Sequence, residues 1–409
     1  MTQRTVAATC FALFACGRPD APAERVAFVE RDSAGVGIVE NHADTANLPR
    51  LVIDSPALRL GAVEGAPEEE FGHVEAAALL RGERVLVADG QLKELRLFSS
   101  DGTHIVSFGR RGEGPGEFQQ IYSVAVRNDS ITVWDTLLHR VSVFDATGQF
   151  VTSARIYPPT VERAGPPRSV RLRPVIRAEQ GGWLSVAYHS GMVVDVPRPQ
   201  AITDSVAVYW HDSTGSPARL LAAGGEEQIV YPADSFPARV QYAVPFAGLK
   251  TYAALSPDRF VMARSDEFRI QVFGADGMLQ LVILYPRLVR ELLAEELAER
   301  LERALASATT DERRVALQHI FDPELNRRVR PTLSGLILDD DGYVWIREWA
   351  PRPDAPTRWL VFDTTGAARF VAEVPQDAIL ADVNRDSALL ITRDELGVSY
   401  VELRPWIMK

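Results

Sequence analysis

LRLFSSDG (residues 95–102), VSVFDATG (141–148), IQVFGADG (270–277) and WLVFDTTG (359–366) repeat one pattern: an alternating apolar run, an aromatic, three residues and a glycine. A fifth copy, VAVYWHDSTG (206–215), carries one extra residue. Each predicts a strand, a turn rich in Asp, Ser and Thr, and a return strand, with the glycine supplying the positive φ the turn needs. A second hairpin precedes four of them. Val74–Leu79 leads to Val85–Ala88, Ile121–Val126 to Ile131–Trp134, Tyr252–Leu255 to Phe260–Ala263, and Leu333–Leu338 to Tyr343–Ile346. The repeating unit is therefore four short antiparallel strands. Gly102 and Gly148 are 46 residues apart, within the roughly 40–50 residues of a propeller blade; the wider spacings imply insertions.

Five units are complete. After Val374 only three strands remain, Ile379–Asn384, Ala388–Thr392 and Val398–Leu403, before the sequence given stops at Lys409. An open blade exposes unpaired N–H and C=O groups that template aggregation, so another segment is expected to complete it. Leu51–Leu60 (LVIDSPALRL) is the natural donor. The fold expected is all-β, a six-bladed β-propeller closed by an N-terminal strand, with a helical insertion between blades 4 and 5 at about 287–320. There Leu288, Leu292, Leu293, Leu297, Leu301 and Leu305 recur at helical spacing, Glu296/Arg300 and Glu299/Arg303 pair at i,i+4, and a second helix spans Asp311–Ile320. The helical pair is expected to be a structural cover. Residues 157–173, rich in Pro and Arg, read as a loop.

Composition narrows the rest. With 55 Asp+Glu against 44 Lys+Arg, a net charge of −11 opposes binding to nucleic-acid backbones. Two cysteines in 409 residues exclude a disulfide scaffold. Residues 1–16, MTQRTVAATCFALFAC, have one Arg, an apolar stretch and a small residue before Cys16, the layout of a short secretory signal. The tract Leu13-Phe14-Ala15-Cys16 resembles the bacterial lipobox, which implies lipidation of Cys16. The division expected is a lipoprotein-type signal peptide (1–15), a tether and N-terminal extension (16–50), and the propeller (51–409). The address is extracytoplasmic, in the cell envelope, with the membrane touched only through the lipid.

Gly109-Arg110-Arg111-Gly112-Glu113-Gly114-Pro115-Gly116-Glu117-Phe118 resembles the inter-blade signature of NHL-type propellers, with Gly112, Gly114, Gly116, Glu117 and Phe118 in register. Asp135, Arg140, Phe144 and Asp145 match the strand that follows in that family. The resemblance is close over residues 74–156 and looser over 250–400. Residues 32–41, DSAGVGIVEN, are similar to what precedes such propellers in bacterial six-bladed propeller lipoproteins of unassigned function. Relatives of this kind include scaffolds, RNA binders, lyases and lactone hydrolases, so the resemblance implies a fold and leaves the activity open. A phosphate-cradling role for the glycine loop is set aside, because a strand rather than a helix N-terminus follows it and Pro115 removes an amide.

Chemistry is sparse. Asp339-Asp340-Asp341-Gly342 sits where a two-strand turn is needed and lacks the spacing of an EF-hand. The seven histidines are scattered without zinc spacing, and no catalytic nucleophile motif occurs. Asp135 and Arg140 are placed to close their own loop as an ion pair. His139, Arg140, His189, Arg264 and Trp349 fall in or beside loops rimming one end of the channel and are the candidate ligand contacts; no catalytic or metal-ligating residue is assigned. The expectation is a non-catalytic binding or assembly module without a cofactor, taking a protein or small-molecule ligand on a propeller face and no nucleic acid. The alternative is a hydrolase, lactonase or lyase with a divalent metal in the central channel.

Overall fold

In the computed structural model residues 28–127, 129–159, 169–190, 198–230, 242–349 and 356–409 are described. Their strands assemble into six four-stranded blades. Blade 1 comprises Val74–Leu80, Arg84–Asp89, Glu94–Phe98 and His104–Phe108; blade 2 comprises Ile121–Arg127, Ser130–Asp135, Arg140–Phe144 and Phe150–Arg155. Blade 3 is built from Ser169–Arg177, Trp183–Ser190, Gln200–His211 and Pro217–Val230. Blade 4 holds Thr251–Leu255, Arg259–Arg264, Arg269–Gly274 and Leu279–Leu284, and blade 5 holds Leu333–Leu338, Val344–Glu348, Thr357–Phe362 and Ala368–Val374. Blade 6 takes Ile379–Val383, Ser387–Arg393 and Ser399–Met408 from one end of the chain and Leu58–Leu60 from the other.

Closure follows the expected route with one refinement. Leu58, Arg59 and Leu60 pair antiparallel with Leu403, Glu402 and Val401. The first part of the donor segment, Arg50–Ile53, does something else: it pairs antiparallel with Trp406–Met408 and parallel with Val371–Glu373 of blade 5. Further upstream, the hairpin Phe28–Ser33/Val36–Asn41 lies parallel on the outer strand of blade 4. Asn41, 1% exposed, donates to Gly366 O and accepts from Ala368 N of blade 5. Residues 28–60 thus form a belt over the outer edges of blades 4, 5 and 6, which covers strand edges that would otherwise be open.

The core is distributed. Each of the six interfaces between blades has its own apolar cluster, for example Leu95, Phe118, Ile131 and Phe144 between blades 1 and 2, and Leu58, Val85, Phe98 and Val401 between blades 6 and 1. The glycine loop is the compact connection the sequence leads one to expect. Phe118 is fully buried, its amide donates to Arg110 O, and a Cβ on Gly109 would lie 2.8 Å from its ring. The repeated Asp residues close their own turns. Asp145 Oδ1 accepts from Thr147 N, Thr147 Oγ1 and Gln149 N, and these bonds hold its carboxyl below the usual range.

Two stretches differ from expectation. Ser169–Arg177 is the inner strand of blade 3, so the segment read as a loop through residue 173 ends in a strand; its tertiary pairing overrides the Pro and Arg content. In the insertion, the helices are shorter than the leucine spacing implies: α1 covers Ala294–Ala306 and α2 covers Asp311–Ile320. Leu293 is left 52% exposed, while Leu292 and Leu297 are buried. The Glu299–Arg303 pair forms at 2.8 Å, but Glu296 turns to Arg330 instead of Arg300.

Candidate functional site

Antiparallel order puts the turns between second and third strands, and the connections between blades, on one face of the ring, called upper here. The turns between first and second strands lie on the lower face.

On the upper face the rim charges serve the scaffold. Asp135, 1% exposed, accepts from four amides: Leu137 and Leu138 in its own turn at 2.9 Å, and Gln119 and Gln120 of the incoming connection at 2.7 and 3.1 Å. Arg140 lies opposite it in the ladder but donates to the carbonyls of Glu113, at 2.6 Å, and Glu117. The expected Asp135–Arg140 ion pair therefore gives way to two separate staples. A buried carboxylate has about four acceptor sites to fill, and the neighbouring amides fill them. Blade 1 repeats the device with shifted residues: Asp89 accepts from Gly72, Gln91 and Leu92, and Arg96 donates to Glu68 O and Glu70 O.

The other candidate contacts are placed as follows. His139 is exposed in the turn at φ 47°, and its carbonyl accepts from Ile156 N. His189 is inside blade 3, 4% exposed, with its ring 6.2 Å from Tyr209. Arg264 pairs with Asp266 at 3.0 Å and with Glu267 at 3.4 Å. Trp349 lies under the helical insertion, 5.3 Å from Phe246 and 4.9 Å from the Arg300 guanidinium. They share the upper half of blades 2 to 5, each held by different neighbours. Cys16 lies outside the described residues.

The insertion is stapled down beside them. Arg327 reaches Glu227 of blade 3 at 2.6 Å and Asp266 of blade 4 at 2.9 Å. Asn326 accepts from Ala247 N and donates to Ile320 O and Asp322 O. At the lower mouth Arg127 of blade 2 crosses to blade 5, meeting Asp340 at 2.9 Å and Leu338 O at 3.2 Å. Asp382 of blade 6 accepts from Leu79 N beside it, and burial pushes its carboxyl up. The lower channel is thus tied across its width by one guanidinium.

One polar group of residues was missed by sequence reasoning. The last two strands of blade 3 run long, pairing from Gln200–Val230 down to His211–Pro217. Alternation puts Asp204 and Val206 on one sheet face of the third strand, and Ala222, Gly224, Glu226 and Gln228 on the same face of the fourth. That face looks at blade 4: Val206 and Ala222 join its interface cluster, and a Cβ on Gly224 would meet the Thr251 side chain. Asp204 and Glu226 are direct cross-strand partners. Burial, reinforced by Asp204 and opposed by Lys250, pushes the Glu226 carboxyl up. The Tyr252 phenol is pushed up to about 12 by burial, with Glu226 and Tyr188 adding to the shift and Arg347 opposing it. In the sequence the stretch LLAAGGEEQIV (220–230) gives no signal of this group, because its Gly224-Gly225 reads as a turn, whereas both glycines lie inside the long strand Pro217–Val230. Among the described residues, no three His, Cys, Asp or Glu side chains stand together as a metal site.

Ser185 and His211 form a pair that imitates nucleophile and base. Ser185 Oγ is 2.7 Å from His211 Nε2, and Nδ1 faces Gly215 O at 3.3 Å. Both residues are fully buried, so the pair holds the blade together. Burial lowers the His211 pKa to about 4 from 6.5. The native state favours the neutral ring, while the unfolded chain protonates first as the pH falls. His211 thus contributes stability in full above pH 6.5, and it is lost between pH 6.5 and 4. The gap between these values corresponds to about 3 kcal/mol. Denaturant unfolding of the protein and of His211→Gln at pH 7.5, 6, 5 and 4 is expected to show the difference between them shrinking by that amount. Parallel pH curves refute the assignment.

Residues 68–157 match the family described as "6-bladed beta-propeller". No curated protein matches the chain. Among solved structures it is similar to a member of the DUF4221 family from Bacteroides vulgatus, 10% identical with a TM-score of 0.50, covering 89% of this chain and 99% of that one. A Bacteroides fragilis protein inferred to be exported is 12% identical, TM-score 0.45, covering 90% and 98%. The virginiamycin B lyase of Staphylococcus aureus is 7% identical, TM-score 0.37, covering 85% and 98%. At these identities the likeness concerns the fold alone. The chain is a six-bladed β-propeller.

Proposed function

We propose that this propeller is a non-catalytic binding module of the cell envelope, held to the membrane by a lipid on Cys16 and presenting its upper face to a ligand. One observation supports the reading: most of the charged groups placed at the rim, and the buried Ser185–His211 pair, are committed to the scaffold. Asp89 and Asp135 are given to amides, Arg96 and Arg140 to carbonyls, Arg264 and Arg327 to carboxylates, and the Ser185–His211 pair is sealed inside a blade. The address rests on the pattern of residues 1–16.

Two measurements test it. Cys16→Ala is expected to move the protein from the membrane pellet to the soluble fraction, and an unchanged distribution removes the anchor. Metal analysis after dialysis is expected to find less than stoichiometric metal. Calcium or zinc retained one per chain replaces the binding module by a metal-dependent propeller enzyme.

A further inference from the structure

The outer wall of the ring carries a cavity where the two ends of the propeller meet, and its assignment does not rest on the reading of the upper face. We propose that this cavity, between the closing strand Leu58–Leu60 and the Ser99–Thr103 turn of blade 1, binds a small organic cation with an apolar body, and that the bound cation fastens the ring.

The cavity holds about 290 Å³, at the lower end of the roughly 300–1,000 Å³ of small-molecule sites. Its lining comes from the closing strand, from Glu69 in the connection into blade 1, and from Phe98 and the Asp101-Gly102 turn of blade 1. The walls are fixed in place. Gly102, at φ 89°, lets the turn approach so closely that a Cβ there would lie 2.8 Å from Leu58 Cδ1. Phe98 closes the base, 1% exposed and edge-on to Phe71 at 6.2 Å.

Charge sets the sign of the ligand. Of the charged residues in the lining, Arg59 is turned away. Side chains alternate along a strand, so Arg59 projects opposite to the buried Leu58 and Leu60. Its guanidinium lies 4.0 Å from the centroid of the Tyr400 ring and 3.5 Å from Glu402. Glu69 and Asp101 remain. Asp101 Oδ1 accepts from Ser99 Oγ and Thr103 N, and these bonds hold the carboxyl below its usual range and so ionised. Its Oδ2 makes no hydrogen bond among the described residues, and the Glu69 carboxylate makes neither a hydrogen bond nor an ion pair among them. Two carboxylates with free oxygens favour a positive charge between them, and the leucines and Phe98 beneath favour an apolar body. Calcium takes six to eight oxygens, more than these two groups supply.

Position gives the site its consequence. Leu58–Leu60 is held by three ladder pairs, with Leu403, Glu402 and Val401, and is the shortest outer strand of the six blades. A ligand touching this strand on one side and blade 1 on the other binds only the closed ring. Binding restricted to one state stabilises that state by mass action.

The test is calorimetric titration of the full chain with 2-phenylethylamine, joined to amide hydrogen exchange. Saturable binding is expected, about fivefold weaker in Glu69→Gln and in Asp101→Asn and weaker again as salt is raised. 3-Phenylpropionate, similar in size and opposite in charge, is expected to show no saturable binding. With the amine bound, protection is expected to rise most at residues 58–61 and 99–103. Matching thermal unfolding midpoints without amine establish that the variants fold; should Asp101→Asn loosen its own turn, Glu69→Gln decides. Equal binding of amine and acid, undiminished affinity in Glu69→Gln, or protection that rises first elsewhere in the ring overturns the inference. So does the absence of saturable heat. That result leaves the binding-module reading standing, because neither the fractionation of Cys16→Ala nor the metal content of the dialysed protein depends on this cavity.

Discussion

Replacing Leu58 and Leu60 together by Asp opens the ring, lowering the unfolding free energy by about 5 kcal/mol and converting a monodisperse protein into edge-paired oligomers. Both side chains are under 10% exposed and pack with Val85, Phe98 and Val401 where blades 6 and 1 meet. Each Asp would bury a charge with no partner, at a cost of several kcal/mol. The loss is large against the roughly 5–15 kcal/mol that stabilises an ordinary domain. Once Leu58–Leu60 detaches, the edge of the last strand at Val401–Leu403, which it had covered, is an unpaired ladder able to recruit another copy. Size-exclusion chromatography and denaturant unfolding read the two effects. An unchanged midpoint would mean that the ring is closed by something else.

The second large effect belongs to the glycine loop. Phe118→Ala is expected to cost about 4 kcal/mol, the range for an aromatic deleted from a packed core. Phe118 is fully buried in the interface of blades 1 and 2, 6.1 Å from the Phe144 ring, and Gly109 leaves it no room to shift. Phe118→Leu, which refills most of the space, is expected to recover more than half of the loss. Urea unfolding of both variants checks this. A loss below about 1 kcal/mol would remove the wedge role and reopen a ligand role for the loop.

The difference between what was legible and what was not follows particular residues. The turn glycines Gly102, Gly148, Gly215, Gly277 and Gly366 all have φ between 82° and 89°, so a local steric requirement is written at each position and can be read one hairpin at a time. Phe118 and the missing fourth strand of blade 6 were readable for the same reason: one is an apolar residue ending a turn-rich loop, the other a count. Asp135 and Arg140 show the limit. Their spacing suggested an ion pair, but whether a carboxylate meets an arginine or four amides depends on the loop arriving from the preceding blade.

Only the tertiary structure decided which charged groups face each other. Arg127 and Asp340 are more than two hundred residues apart and meet because blades 2 and 5 stand opposite one another across a ring. Asp204 and Glu226 come together through the register of one unusually long hairpin, and a shift of one residue would have turned them to different faces. By itself the sequence determined the repeat, the number of blades and the segment that closes them, because backbone sterics and alternation act over a few residues. The polar face, the belt of residues 28–60 and the commitment of the rim charges required the closed ring, since electrostatic and hydrogen-bond partners are chosen by proximity in space.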